Sequence, residues 1–277
     1  MFASSTITAF VIENPRLVKL ESVLRDVITF LATHNNMVGL KKVASILDEV
    51  AYVPRRIYEI RWLSRIKVVS DFVKSMPVIL TFLEEKSNDD EMAKALFTRL
   101  SNVHNQVILH HLDDLLRPIE ILSLKLQKRN LHPFDALLHI QSMMVELEET
   151  FLDDNVQLCN RSFNSLKSKV EDGSILLSGG GLVDTVLSSC EKTMRDFAKS
   201  VLKNTKKRMW CNDDIISKFS IFKLGENSKK LGKADFASYG EDEITSLVDF
   251  YSETNKLDLS EIQAEWKSYK DLFYRVQ

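Results

Sequence analysis

Glycine and proline are scarce in this 277-residue chain, which has 8 and 5 of them. Together they make up about 5% of residues, against roughly 12% in an average protein. That shortage excludes the many tight turns a sheet of short strands requires, and it favours long helices. Cysteine is equally sparse. Cys159, Cys190 and Cys211 are odd in number and form no CxxC pair, which excludes a zinc knuckle and a disulfide framework and fits a reducing compartment. Charge of one sign is also missing. The formal net charge is −2, whereas proteins that hold nucleic acid unaided usually carry a clear positive excess. Contact with DNA would therefore need a local patch or another domain. No run approaches the eighteen apolar residues of a membrane span. Met1 to Ile12 is uncharged, but it has no basic start and is closed by Glu13-Asn14-Pro15, so no signal peptide is expected and the protein is expected to be intracellular.

What is present is helical periodicity. Leu17, Leu20, Leu24, Val27, Ile28 and Leu31 share one face of a helix over about Glu13 to His34. A second helix is expected from about Val38 to Ala51, ending before Pro54. After a short extended segment from Pro54 to Ile60, a helix containing Pro77 should reach about Glu85. Ser87-Asn88-Asp89-Asp90 supplies a loop and an N-cap. A very long helix or broken pair then runs from Glu91 to Lys128, with Leu109, Leu112, Leu116, Ile119, Leu122 and Leu126 as a seam. Another long helix is expected over Pro133 to Val170, and one more over Thr185 to Arg208. Gly225 to Gly240 reads as a long loop, followed by helices over about Asp242 to Thr254 and Ser260 to Tyr274. The expected fold class is all-α, an array of long antiparallel helices. Ser178-Gly179-Gly180-Gly181 reads as a hinge, so the expected parts are residues 1–177 and 178–277.

Sites for chemistry are few. His110 shares a helical face with Asp113 and Asp114, but ligands from one helix cannot surround a metal, and packing explains the segment better. His132 and His139 are about 10 Å apart along a helix, too far for one ion. The Gly179–Gly181 run lacks the Gly-Lys-Ser/Thr ending of a phosphate loop. Acid pairs such as Glu84-Glu85, Glu148-Glu149 and Asp153-Asp154 read as solvated helix surface. No catalytic residue, metal site or cofactor is expected. Two basic clusters remain. Arg55, Arg56, Arg61, Arg65 and Lys67 bracket Trp62, combining phosphate-seeking cations with a ring able to stack on a base, although from composition alone the better reading is that Trp62 plugs a core at a helix start and the arginines are ordinary surface. Lys199 to Trp210 holds five cations and ends with an indole, and it reads first as the charged end of a helix.

The order of these pieces resembles the helical insertion domain of hAT-superfamily transposases. Arg61-Trp62-Leu63-Ser64-Arg65 before a helix containing Pro77 is similar to the Arg-Trp start of that domain. Leu115-Leu116-Arg117-Pro118-Ile119 through Leu124-Lys125-Leu126-Gln127-Lys128 is similar to the helix in this family, and in its domesticated zinc-finger relatives, that ends in leucine, glutamine and a basic residue. Tyr239-Gly240-Glu241 through Glu265-Trp266-Lys267 resembles the late Glu-Trp segment. The resemblance covers residues 16 to 275. It implies a transposase-derived domain without the three metal-holding acids of the family's RNase H-like core, hence catalytically inactive. It further implies a nuclear location, with cytoplasmic as the alternative, and DNA contact by Arg61 and Trp62. The expected partners are DNA, another protein or a second copy through helices, and no membrane. The alternative function is a helical protein-interaction module with no DNA role, served by the leucine seam.

Overall fold

The computed structural model describes residues 14–50, 62–153, 158, 160–209, 213–227, 233–252 and 255–276. Asn14 opens the first helix: its side chain accepts from the backbone N–H groups of Arg16 and Leu17, and Pro15 fills the first turn, where no donor is missed. Helix α1 (Pro15–Leu31) buries Leu17, Leu20, Leu24, Val27 and Leu31, the stripe its periodicity predicts. It packs on α2 (His34–Ile46) and on α4 (Glu91–Leu100), and α3 (Trp62–Lys86) packs on α2 and α4. Gly39 makes the α2–α3 approach possible, because a Cβ there would stand 2.6 Å from the Phe82 ring. Asp90 caps α4 through the N–H groups of Met92 and Ala93 at 2.9 and 3.2 Å.

The expected broken pair after Glu91 is α4 and α5 (Val103–Leu126), and α3 and α5 each run through their proline, Pro77 and Pro118. Among the described residues there is no strand, only an isolated parallel bridge between Asn102 and Ser178. The fold is all-α, with no RNase H-like sheet among the described residues.

The single helix expected over Pro133 to Val170 is instead two, α6 (Pro133–Phe151) and α7 (Arg161–Glu171). The break is held by a residue far along the chain: the Arg195 guanidinium donates to the carbonyls of Phe151 and Asp153 at 2.9 and 2.7 Å, satisfying groups at the end of α6. Arg195 belongs to α8 (Asp184–Met209). Between α7 and α8 the chain is tied down at Ser178, whose N–H donates to the Ser101 carbonyl and whose carbonyl accepts from Val103 N–H, both at 2.9 Å.

The chain forms two compact units, one of residues up to Leu124 with Met143–Asn204, the other of Lys125–Ser142 with Thr205–Gln277. Ser178 to Gly181 thus falls inside a unit rather than between two. The second unit contains α9 (Asp213–Lys218), a 3-10 turn (Phe219–Phe222), α10 (Leu224–Asn227), α11 (Lys233–Ser238), α12 (Glu241–Ser252) and α13 (Leu259–Val276). Its core is Ile221, Leu224, Phe236, Ile244, Leu247, Val248 and Trp266. The loop expected from Gly225 to Gly240 therefore contains helix, because Phe236 has an apolar core to enter. Trp266 Nε1 donates to the Tyr239 carbonyl at 3.0 Å, and Lys270 Nζ donates to the Ala237 and Tyr239 carbonyls at 2.6 and 3.0 Å. Gly240, at φ +78°, allows this seat: a Cβ would meet the Trp266 ring at 3.0 Å. In the same unit Lys223 pairs with Asp135.

Candidate functional site

Helix α5 carries His110, His111, Asp113 and Asp114 in two successive turns, and α7 begins against them. Asp114 accepts from the N–H groups of Ser162 and Phe163 at 2.8 and 3.1 Å, so a side chain of α5 caps α7. His110 Nδ1 lies 2.8 Å from the Ser162 carbonyl and 3.1 Å from its hydroxyl. His111 stacks on Phe163 with ring centroids 4.5 Å apart. Three residues of α5 thus grip Ser162 and Phe163, the second and third residues of α7.

Burial sets the protonation of these groups. Desolvation holds His110 down at about 4, against the opposing help of the Ser162 carbonyl, and holds His111 down at about 3, assisted by His110. Both rings are neutral at pH 7, and His110 Nε2 and both His111 nitrogens have no hydrogen-bond partner. Desolvation raises Asp113, although Ser162, Lys74, Arg117 and Ser70 oppose it. It raises Asp114 to about 6, against the two backbone donors of α7. A neutral, enclosed imidazole with no exposed face cannot pass protons to a substrate. The His-Asp constellation anchors the start of α7. Among the described residues no three His, Cys, Asp or Glu side chains gather to hold a metal ion.

Asp113, Asp114 and Ser162 also line a cleft of about 680 Å³. Its walls come from three helices: Ser70 and Lys74 of α3, Arg117 and Glu120 of α5, and Arg161, Ser165 and Lys169 of α7, with Glu49 at the rim. Arg161, Ser165 and Lys169 stand one turn apart in succession, a spacing visible in the sequence. What the sequence did not show is that they face Lys74 and Arg117.

Of the DNA contacts implied by resemblance, Arg61 lies outside the described residues; Trp62 is the first residue of α3, and its side chain is likewise outside them. Lys67, of the same basic cluster, is exposed on α3. In the second cluster Lys199, Lys203, Lys206 and Lys207 are exposed on the last turns of α8, and Trp210 falls outside the described residues. The leucine seam turns inward: Leu109, Leu116, Ile119 and Leu122 are buried by the chain's own side chains, which removes them as a surface for a partner. Cys190 is buried and its thiol pushed up to about 11 by desolvation, which leaves no thiolate for nucleophilic chemistry at pH 7. Among the described residues no helix is long and apolar enough to cross a membrane.

No protein-family model, no curated protein and no solved structure matches this chain.

Proposed function

We propose that the chain is a transposase-derived helical domain of the hAT type that acts by binding DNA, not by cutting it, within a nuclear assembly. The observation that carries this reading is the position of the Arg61-Trp62 pair. Trp62 opens the 25-residue helix α3, which contains Pro77, and this supports the likeness to an Arg-Trp segment followed by a proline-containing helix. A helix start also presents backbone N–H groups and positive dipole to phosphate, to which arginines near it in sequence would add. Supporting it further, α5 carries Pro118 and ends at Leu126, and the Glu265-Trp266-Lys267 segment lies in α13, in the order the resemblance calls for.

The reading assigns Trp62 to stacking on an unpaired base at a DNA end, an interaction worth about 1–3 kcal/mol per base. Trp62→Ala is expected to weaken binding to hairpin or single-stranded ends by about five-fold or more, with a melting temperature close to that of the unsubstituted protein. Titration of labelled DNA ends and a thermal melt on one preparation test it. A core tryptophan would instead lose about 3–5 kcal/mol of stability on truncation. A sharp drop in melting temperature, in a protein that binds no DNA before substitution, overturns the reading.

A further inference from the structure

The cleft between α3, α5 and α7 is balanced in charge, with four carboxylates and four cations in its lining. Around Ser162 these charges are committed to the fold: Asp114 caps α7, Asp113 is engaged with the hydroxyls of Ser70 and Ser162, and Lys74 and Arg117 both act on Asp113. Four groups are left over, Glu49 just past α2, Glu120 of α5, and Arg161 and Lys169 of α7. None of their side chains makes a hydrogen bond or an ion pair with a described residue. The Lys169 charge acts on His110 and Asp172 without bonding to either. The two signs come from different elements. Helix α7 presents Arg161, the Ser165 hydroxyl and Lys169 at successive turns, a row of donors about 12 Å long. The two carboxylates come from the end of α2 and from α5. The rest of the lining includes the apolar Val50, Ile66, Val73 and Ile121. A lone anion in this cleft is attracted by one set and repelled by the other, and so is a lone cation. A molecule that carries both charges complements both sets at once. At about 680 Å³ the cleft is within the size of sites that take small molecules.

We propose that this cleft binds a small zwitterion with an apolar body, of the kind presented by a free amino acid or a short peptide with unblocked ends. Arg161, Lys169 and the Ser165 hydroxyl hold its carboxylate, Glu49 and Glu120 hold its ammonium, and its apolar side chains lie on the aliphatic lining. A tripeptide, which reaches up to roughly 10 Å between its ends, suits charges carried by different helices better than a single amino acid does. The site is independent of the Arg61-Trp62 pair and of any DNA contact.

The test is an NMR titration of the full chain with leucine and with the tripeptide Leu-Ala-Leu, the latter with free ends, N-acetylated, or C-amidated. The free tripeptide is expected to bind more tightly than leucine, and blocking either end to weaken it by about five-fold or more. A variant combining Arg161→Gln with Lys169→Gln is expected to lose its preference for the free carboxylate and keep that for the free ammonium. A variant combining Glu49→Gln with Glu120→Gln is expected to do the reverse. Circular dichroism on each variant checks that the helices remain, and the blocked peptides test the unsubstituted protein without any substitution. Leucine binding as tightly as the tripeptide supports the site and makes a free amino acid its source. Binding that is indifferent to both blocks overturns the proposal, as does a dependence on the blocks that is the same in both variants as in the unsubstituted protein. No binding of the free tripeptide at about 10 mM also overturns it.

Discussion

His111 offers a sharp test of the α5–α7 anchor. Its ring is fully buried, stacked on Phe163, with both nitrogens lacking a partner. Its folded pKa is about 3 and that of His110 about 4, against 6.5 when unfolded. A histidine with a depressed folded pKa favours the folded state only while it is neutral. The unfolded chain takes up the proton first, so stability is full above about pH 6.5 and falls as pH drops from there toward 4 and 3. At about 1.4 kcal/mol per pH unit, each histidine removes about 2 kcal/mol by pH 5. Asp114 acts in the opposite sense, because its folded pKa, about 6, lies above the unfolded 3.8 and the folded state gains on protonation. Discounted for its partial exposure, that offset is about 1 kcal/mol. The protein should therefore lose about 3 kcal/mol between pH 7.5 and pH 5. His111→Leu removes one titrating ring and two unpaired nitrogens. Its stability at pH 7.5 should lie within about 1 kcal/mol of the unsubstituted protein, since lost stacking and relieved desolvation oppose each other. Its loss on going to pH 5 should be smaller by about 2 kcal/mol. Urea unfolding followed by circular dichroism at the two pH values measures both quantities. An identical pH dependence in the two proteins would show that the ring takes its proton inside the fold, and would refute the burial argument.

Two further outcomes test the packing. Asp114→Ala leaves the Ser162 and Phe163 amides without their acceptors and should cost about 1 kcal/mol, partly offset by the lost desolvation of the carboxylate. Hydrogen exchange at those two amides should speed up by ten-fold or more while α12 is unchanged; slow exchange would mean that Asn160 or water serves as the cap. Gly240→Ala places a methyl group 3.0 Å from the Trp266 ring at φ +78° and should cost about 1–2 kcal/mol, lowering the melting temperature by several degrees. An unchanged melt would remove the strain argument for this turn.

The sequence by itself determined the class of fold, because helical spacing and scarce turn residues are local properties. The apolar stripe of α1 and the Asp90 cap were legible from residues within a turn or two of each other, and α5 closes at Leu126, two residues before the expected Lys128. Tertiary structure decided what depends on residues distant in the chain. Helix continued through Pro133 to Val170 by pattern, yet Arg195 ends α6 by capping carbonyls more than forty positions earlier. The glycine run looked like a hinge until Ser178 was seen paired with Ser101 and Val103. The stretch after Gly225 read as loop by composition, but Phe236 enters the core around Trp266 and brings α11 with it. His110 and Asp114 were visible as a pair on one helical face, but their role was not, since it is fixed by Ser162 and Phe163 on another helix. The cleft follows the same rule. Its lining residues are ordinary surface residues in each helix taken alone, and only the packing of α3, α5 and α7 brings them around one cleft.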